Sequence, residues 1–134
     1  MRKIAFIGTG GTISSLGVGP LDIIHYGAHK TMLPAVTLVG DHPDLAGIVI
    51  GHGTATLEET AFALDMLVKV NIPVVMVGSQ RPLSGLASDA ASNLVGAVRV
   101  AADERSRGRG VLVLLNDEIH PARDVTKTAT YRLQ

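Results

Sequence analysis

The stretch AGIVIGHGTATLEET, residues 46–60, contains a strand, a turn and a helix start in direct succession. Its first part, AGIVIG, is a near-continuous aliphatic run, which is typical of a strand buried on both faces of a parallel sheet. Gly51 and Gly53 bracket a tight turn that carries Thr54. Thr56 and Glu59 have the spacing of a capping box, which predicts that a helix begins directly after the turn.

Three more aliphatic runs have the same form: KIAFIG at 3–8, IPVVMVG at 72–78 and GVLVLL at 110–115. Between the runs, residues 57–69 and 88–105 have helical patterns, and the second opens with Ser88 and Asp89 as candidate caps. Strands that alternate with helices in this way are expected to join through right-handed crossovers. We therefore predict an α/β fold with an open, mainly parallel sheet and helices on both faces, a three-layer arrangement of the Rossmann or flavodoxin type.

The composition restricts the class of protein. The chain has 134 residues, the size of one domain, and it is 46% hydrophobic but only 3% aromatic, which predicts an aliphatic core. Twelve basic and twelve acidic residues give no net charge, so neither nucleic acid nor a membrane is an expected partner. The chain has no cysteine, and its apolar N-terminal run stops at TGGT instead of continuing as a signal peptide, which predicts a cytoplasmic protein.

Polar turns follow the predicted strands, and three of them carry candidate chemical groups. These are GTGGTIS at 8–14 with Thr12, HGTAT at 52–56 with Thr54, and NDEIHPARDVTKTAT at 116–130 with Lys127. Parallel strands end at one edge of a sheet, where open α/β folds bind ligands, so these turns are expected to converge. A lysine beside a threonine can act as its base. The plainer interpretations are a strand-to-loop turn, a helix cap and a solvated loop, respectively.

Nucleotide binding is another function of glycine-rich turns, but the motifs do not match it. A Walker loop needs Gly-Lys-Ser/Thr, which the chain lacks. A dinucleotide fingerprint needs a glycine where Ile13 stands. None of the five histidines has a spacing that argues for a metal ligand set, so no metal is predicted.

Four segments carry a family resemblance when they are taken together: TGGTIS (9–14), GIVIGHGTATLEETAFAL (47–64), IPVVMVGSQRPLSGLASDAASNLVGAVRVA (72–101) and GVLVLLNDEIHPARDVTKT (110–128). In this order they resemble the bacterial-type L-asparaginase/glutaminase family of amidohydrolases. The resemblance implies a threonine nucleophile, a small amide substrate and no cofactor. It implies Thr12 as the nucleophile, Tyr26 as its partner in a lid, and Thr54 with Lys127 as a pair that activates water or the attacking hydroxyl. The implied substrate-binding residues are Gly11, Gly53, Ala55 and Ser79.

The chain departs from the family pattern in three places. The family sequence HGTDT is HGTAT here, so Ala55 replaces a carboxylate that is expected to hold a substrate's α-ammonium group. Losing such a charge-assisted contact costs about 1.5–3 kcal/mol, which favours an amide or imide without an α-amino group. The segment LPAVTLVGDHPD is shorter than its family counterpart. We also expect residues 1–134 to form a single N-terminal-type domain without the family's C-terminal domain, as a short form, an engineered minimal domain or a fragment.

Two functions stay open at the level of sequence. The first is an asparaginase-like amidohydrolase that converts a small carboxamide to the acid and ammonia, with a preference altered by Ala55. The second is a catalytically impaired or inactive core domain that serves as a scaffold or binding module. The resemblance further implies a homo-oligomer, either a dimer or a tetramer.

Overall fold

A computed structural model of the chain describes residues 3–9, 42 and 44–129. The strands are β1 (Lys3–Gly8), β2 (Leu45–Gly51), β3 (Val74–Val77), β4 (Val111–Leu115) and β5 (Glu118–Pro121). The helices are α1 (Leu57–Leu67) and α2 (Ala90–Ala102), and a 3₁₀ turn follows at Glu104–Ser106. In this part of the chain, neither helix has the length and apolar character needed to cross a membrane.

The strands form one sheet in the order β1-β2-β3-β4-β5. The first three neighbouring pairs are parallel, with Gly51 opposite both Gly8 and Val77, so the first four strands end at a common carboxyl edge. β5 is antiparallel to β4. The turns that follow β2, β3 and β4 therefore lie side by side at one edge, next to Thr9 at the end of β1.

The core consists of two apolar layers, one on each face of the sheet. On one face, strand residues pack against Leu57 and Ala61 of α1; they include Ile48, Ile50, Met76 and Val113. On the other face, strand residues pack against Ala97 and Ala101 of α2; they include Val49, Val75, Val77 and Leu112. The predicted three-layer α/β fold with a mainly parallel sheet is confirmed.

The two crossovers whose helices lie in the described residues have opposite hands. The connections β2–α1–β3 and β3–α2–β4 step across the sheet in the same direction. Because α1 covers one face and α2 covers the other, one of the two connections is left-handed. The prediction of right-handed crossovers throughout is therefore wrong, although about 98% of such connections are right-handed. The hand depends on which face each helix covers, and the alternation of strands and helices does not specify that face.

The helix starts differ from the predicted caps. Thr56 is the N-cap residue of α1, but within the described chain its side chain makes no capping hydrogen bond, so the predicted capping box does not form. At the start of α2, Ser88 Oγ accepts a hydrogen bond from Ala90 N at 3.2 Å. The carboxylate of Asp89 makes no capping hydrogen bond to its own helix and accepts hydrogen bonds from the loop that follows β3 and from the side chain of Asn93.

Helix α2 lies close to the sheet because small residues meet where the helix crosses β2. A Cβ atom placed on Gly47 would stand 2.2 Å from the carbonyl oxygen of Ala101. That oxygen belongs to the helix backbone, so only a movement of the helix or the strand could make room for it.

We expect Gly47→Ala to lower the free energy of unfolding by about 1–3 kcal/mol, because it overpacks a backbone contact. Gly96→Ala is the matched control, since a Cβ on Gly96 would meet only the flexible end of Leu114, at 3.1 Å. Alanine is also the better helix former at that position of α2. Urea unfolding of both variants measures the difference, and equal midpoints for the two variants would contradict the close approach.

Candidate active site

Thr54 and Lys127 lie together at the carboxyl edge of the sheet. Lys127 Nζ donates a hydrogen bond to Thr54 Oγ1 at 2.8 Å, although the two residues are 73 positions apart in the sequence. Thr54 stands in the turn between β2 and α1, and Lys127 lies in the extended segment that follows β5; both are partly buried. A neutral amine at this distance can accept the hydroxyl proton, so the contact suits nucleophilic chemistry. We refer to these two residues as the Thr54–Lys127 couple.

A hairpin brings Lys127 back to Thr54. Asn116 and Asp117 have φ angles of 52° and 63°, the positive values that a type I′ turn requires at its two central residues. The turn sends the chain back along β4 as β5, and residues 125–129 then return toward the carboxyl edge. The plainer interpretation of 116–130 as a solvated loop therefore does not hold for β5. Glu118, Ile119 and Pro121 of this strand are exposed at the edge of the sheet, which is why its polar composition resembles that of a loop.

Three contacts hold the returning segment 125–129 in place. The backbone N–H of Lys127 donates to Glu58 Oε2 in the first turn of α1. Gln80 Nε2 donates to the carbonyl oxygen of Ala129 at 3.3 Å. Val125 packs against the apolar layer that also contains α1. The main chain around Lys127 is thereby fixed, so that only the lysine side chain must be ordered to reach Thr54.

The backbone of Gly78 forms a wall behind Thr54. A Cβ atom on Gly78 would stand 2.9 Å from Thr54 Cγ2 and 3.1 Å from the carbonyl oxygen of His52. The backbone N–H of His52 also donates to the carbonyl oxygen of Val77 at 2.9 Å, which extends the β2–β3 pairing into the turn. The threonine methyl group thus packs against bare backbone, and its hydroxyl faces Lys127.

A cavity of about 550 Å³ lies beside the couple. This volume is typical of sites for small organic molecules, which occupy about 300–1,000 Å³. Its lining combines the couple with polar groups of α1, the β3 loop and the hairpin: Thr54, Glu58, Gln80, Asn116, His120 and Lys127. Within residues 3–9, 42 and 44–129, no three His, Cys, Asp or Glu residues are grouped so that they could hold a metal ion.

The other predicted site residues have different positions. Gly53 is partly buried in the same turn, and Ala55 is exposed. Ser79 is 5% exposed, and its hydroxyl has no hydrogen-bond partner among the described residues. The predicted nucleophile Thr12, its predicted partner Tyr26 and the predicted substrate contact Gly11 lie outside the described residues, so their roles stay predictions.

Sequence reasoning missed a buried polar pair, Asp89 and Asn93, which is bonded to the loop that follows β3. Asp89 carries a carboxylate that accepts hydrogen bonds from Gln80 N and Arg81 N, each at 2.9 Å. Asn93 Nδ2 donates both to this carboxylate and to the carbonyl oxygen of Gly78, each at 3.0 Å. A signal was present, because an Asp and an Asn four residues apart lie on one helix face. The position of Asp89 at a helix start concealed its role, since it also fitted a cap.

Known proteins similar to this chain are asparaginases. The sequence model of the asparaginase N-terminal domain matches residues 29–134. The probable periplasmic L-asparaginase of Haemophilus influenzae is 56% identical over 88 residues, which are 66% of this chain and 25% of that protein. L-asparaginase 2 of Escherichia coli is 55% identical over 84 residues, which are 63% of this chain and 24% of that protein. A crystal structure of the probable cytoplasmic L-asparaginase of Campylobacter jejuni matches with a TM-score of 0.78 and 27% identity, over 99% of this chain and 52% of that chain.

The chain spans about a quarter of the length of the curated relatives it matches. One of the relatives is described as periplasmic and another as cytoplasmic, so the cytoplasmic location of this chain stays a prediction. The family match itself covers most of the chain. The chain therefore belongs to the asparaginase family.

Proposed function

We propose that this chain is the catalytic N-terminal-type domain of an amidohydrolase that converts a small carboxamide and water to the acid and ammonia. The observation that carries the proposal is the 2.8 Å hydrogen bond from Lys127 Nζ to Thr54 Oγ1 at the carboxyl edge of the sheet. Membership of the asparaginase family supports the same chemistry. Assembly into a homo-oligomer and a cytoplasmic location belong to the proposal as well.

The proposed reaction has two steps. The hydroxyl of Thr12, with Tyr26 as its partner, attacks the amide carbonyl carbon. The C–N bond then breaks, ammonia departs, and the acyl group remains bound to Thr12 as an ester. Water then attacks the ester, the acid leaves, and the Thr12 hydroxyl is restored. The Thr54–Lys127 couple removes the proton from the attacking oxygen, because a hydroxyl or a water molecule is a weak nucleophile until a base takes its proton. In the first step this proton passes to the leaving nitrogen, which departs as ammonia, and in the second step it passes to the Thr12 oxygen.

The turn before α1 is suited to stabilise the negative oxygen of the tetrahedral intermediate. The first backbone N–H groups of a helix have no partners within the helix, and the helix dipole places positive charge at that end. Thr54 stands just before the start of α1, so an oxygen that forms next to Thr54 lies near those donors. Preorganised donors of this kind commonly account for a large share of the catalytic effect. Backbone groups of Gly11 and Gly53 and the hydroxyl of Ser79 are the proposed substrate contacts.

The proposed substrate is an amide without an α-amino group. Ala55 is exposed and has only a methyl side chain, so it offers no partner to an α-ammonium group. A carboxylate at this position would supply a charge-assisted hydrogen bond worth about 1.5–3 kcal/mol. Asparagine is therefore expected to bind less well than the corresponding amide in which hydrogen replaces the amino group.

Ammonia release tests the proposed function. We expect the chain to release ammonia from succinamic acid faster than from asparagine, because the two differ only in the α-amino group. Ala55→Asp is expected to raise kcat/KM for asparagine by about ten- to a hundredfold, since it restores the carboxylate. Ala55→Asn is the control, because it has a similar shape without the charge. A folded chain that releases no ammonia from either amide, with or without Ala55→Asp, would instead identify an inactive scaffold.

A further inference from the structure

We propose that Asp89 and Asn93 are a positioning pair that holds the two halves of the Thr54–Lys127 couple at their hydrogen-bonding distance. The inference rests on the proposed function, in which the couple activates the attacking oxygen. Neither residue lies in the turn of Thr54 or in the segment of Lys127. Both are on or next to the first turn of α2, on the face of the sheet opposite α1.

The pair is almost fully buried and is well supplied with hydrogen bonds. Asp89 is 7% exposed and Asn93 is 1% exposed. The Asp89 carboxylate accepts from three neutral N–H donors, namely Gln80 N and Arg81 N at 2.9 Å and Asn93 Nδ2 at 3.0 Å. These three hydrogen bonds offset the desolvation of its charge.

Asn93 holds the wall behind Thr54. Its Nδ2 donates to the carbonyl oxygen of Gly78 at 3.0 Å. A Cβ on Gly78 would lie 2.9 Å from Thr54 Cγ2, so the threonine methyl group occupies the space that a side chain at position 78 would need. A shift of this backbone changes the room for the methyl group and therefore the direction of the hydroxyl. Asn93 Oδ1 also accepts a hydrogen bond from Asn116 N at 3.0 Å, which ties the hairpin turn to the same side chain.

Asp89 acts on the other half of the couple. It holds the backbone N–H of Gln80 at 2.9 Å, and the side chain of Gln80 donates to the carbonyl oxygen of Ala129 at 3.3 Å. Ala129 lies two residues after Lys127 in the returning segment. The pair thus reaches Thr54 through Gly78 and reaches Lys127 through Gln80, so one buried unit fixes both.

The hydrogen bonds of Asp89 and Asn93 are better explained by a role in positioning the Thr54–Lys127 couple than by a role in stabilising the fold. A satisfied buried polar network can often be replaced by apolar residues of similar shape with little loss of stability, whereas it specifies distances and directions that apolar packing does not. An angular error or a displacement of about 1 Å in a reacting group can reduce the rate about a hundredfold. A network that is linked to Thr54 through Gly78 and to Lys127 through Gln80 is suited to prevent such errors.

The test compares Asn93→Leu with Ala101→Gly in the full chain. Leu has a similar size to Asn but makes none of the three hydrogen bonds, whereas Ala101→Gly weakens the same helix near Gly47, at the opposite edge of the sheet. The first readout is the coupling between Thr54→Val and Lys127→Met in a double-mutant cycle of unfolding midpoints. We expect the coupling to fall by about half or more in the Asn93→Leu background and to persist in the Ala101→Gly background. An unchanged coupling in Asn93→Leu would overturn the inference.

The second readout is steady-state ammonia release. Asn93→Leu is expected to lower kcat about ten- to a hundredfold with little change in KM, and Ala101→Gly is expected to change neither. If Asn93→Leu does not fold, Asp89→Asn takes its place, because it keeps the shape of the side chain and loses one acceptor. The coupling and kcat are then expected to fall in the same way, but by less. Inactivity of the unsubstituted chain would refute the proposed function, while the coupling experiment would still decide whether the pair positions the couple.

Discussion

Replacing Lys127 with methionine is expected to lower kcat/KM for amide hydrolysis by about 10²–10⁴-fold, the usual contribution of a positioned acid–base group. Methionine keeps the unbranched apolar stem but has no amine to accept a proton from Thr54. The hydrogen bond from the backbone N–H of Lys127 to Glu58 Oε2 does not depend on the lysine side chain, so the returning segment should keep its position. Lys69→Met is the control, because Lys69 is exposed at the start of the loop after α1. Ammonia release at several substrate concentrations separates kcat from KM.

The two members of the couple are expected to act as one unit. Thr54→Val is nearly isosteric but has no hydroxyl, so it should lose about as much activity as Lys127→Met. The double variant should then be little worse than either single variant, because groups that share one step are not additive. Losses that multiply in the double variant, or a Lys127→Met enzyme with unchanged kcat, would show that the hydrogen bond has only a structural role.

Asp65→Ala is expected to lower the free energy of unfolding by about 2–4 kcal/mol, because it removes an acceptor that serves two donors. Asp65 lies in α1, and its Oδ1 accepts a hydrogen bond from Val111 N at 2.8 Å. Its Oδ2 pairs with Arg123 Nε at 2.6 Å, and the aspartate side chain is only 9% exposed. The substitution therefore leaves a partly buried N–H at the start of β4 without its partner. Arg123→Ala should cost much less, since the arginine side chain is 60% exposed.

The same carboxylate should give the stability a dependence on pH. The hydrogen bond from Arg123, followed by that from Val111 N, lowers the pKa of Asp65 in the folded chain. A lowered folded pKa means that this stabilisation is complete above the unfolded value of about 3.9 and is lost as the pH falls through the folded value. Urea unfolding should therefore show that the difference in the free energy of unfolding between the unsubstituted chain and Asp65→Asn is largest near neutral pH and becomes smaller in acid. A difference in the free energy of unfolding that stays constant down to low pH would contradict a stabilising role for the charge of Asp65.

Most of the parallel part of the fold could be predicted because burial on both faces leaves a clear signature in β2, β3 and β4. Each of the first four strands is an aliphatic run in a chain whose other segments are polar or periodic, as in VVMV of β3. β5 has no such signature, because it lies at an edge with three of its four residues exposed. Its formation depends on a turn with positive φ at Asn116 and Asp117, and this pair is a weaker hairpin signal than Asn-Gly. The hand of the crossovers depends on close contacts such as Gly47 with Ala101, which helical periodicity does not encode.

The candidate site could be predicted only in part. Thr54 follows a strand and precedes a helix, so its place at the sheet edge followed from local pattern. The position of Lys127 depends on a hairpin and a returning segment, and only the resemblance to a family linked it to Thr54. Asp89 and Asn93 were missed because Asp89 also fitted a helix cap and because most partners of the pair are backbone groups of other segments, which are not visible as a motif.

The separation of 73 residues between Thr54 and Lys127 makes chemistry conditional on complete folding. Contacts between distant parts of a chain form after local ones, because closing a long loop costs entropy. While the protein is being synthesised, the turn of Thr54 leaves the ribosome well before the lysine does. Under the proposed function, a nascent or half-folded molecule has a hydroxyl without its base. Topology alone would then keep immature copies from hydrolysing cellular amides.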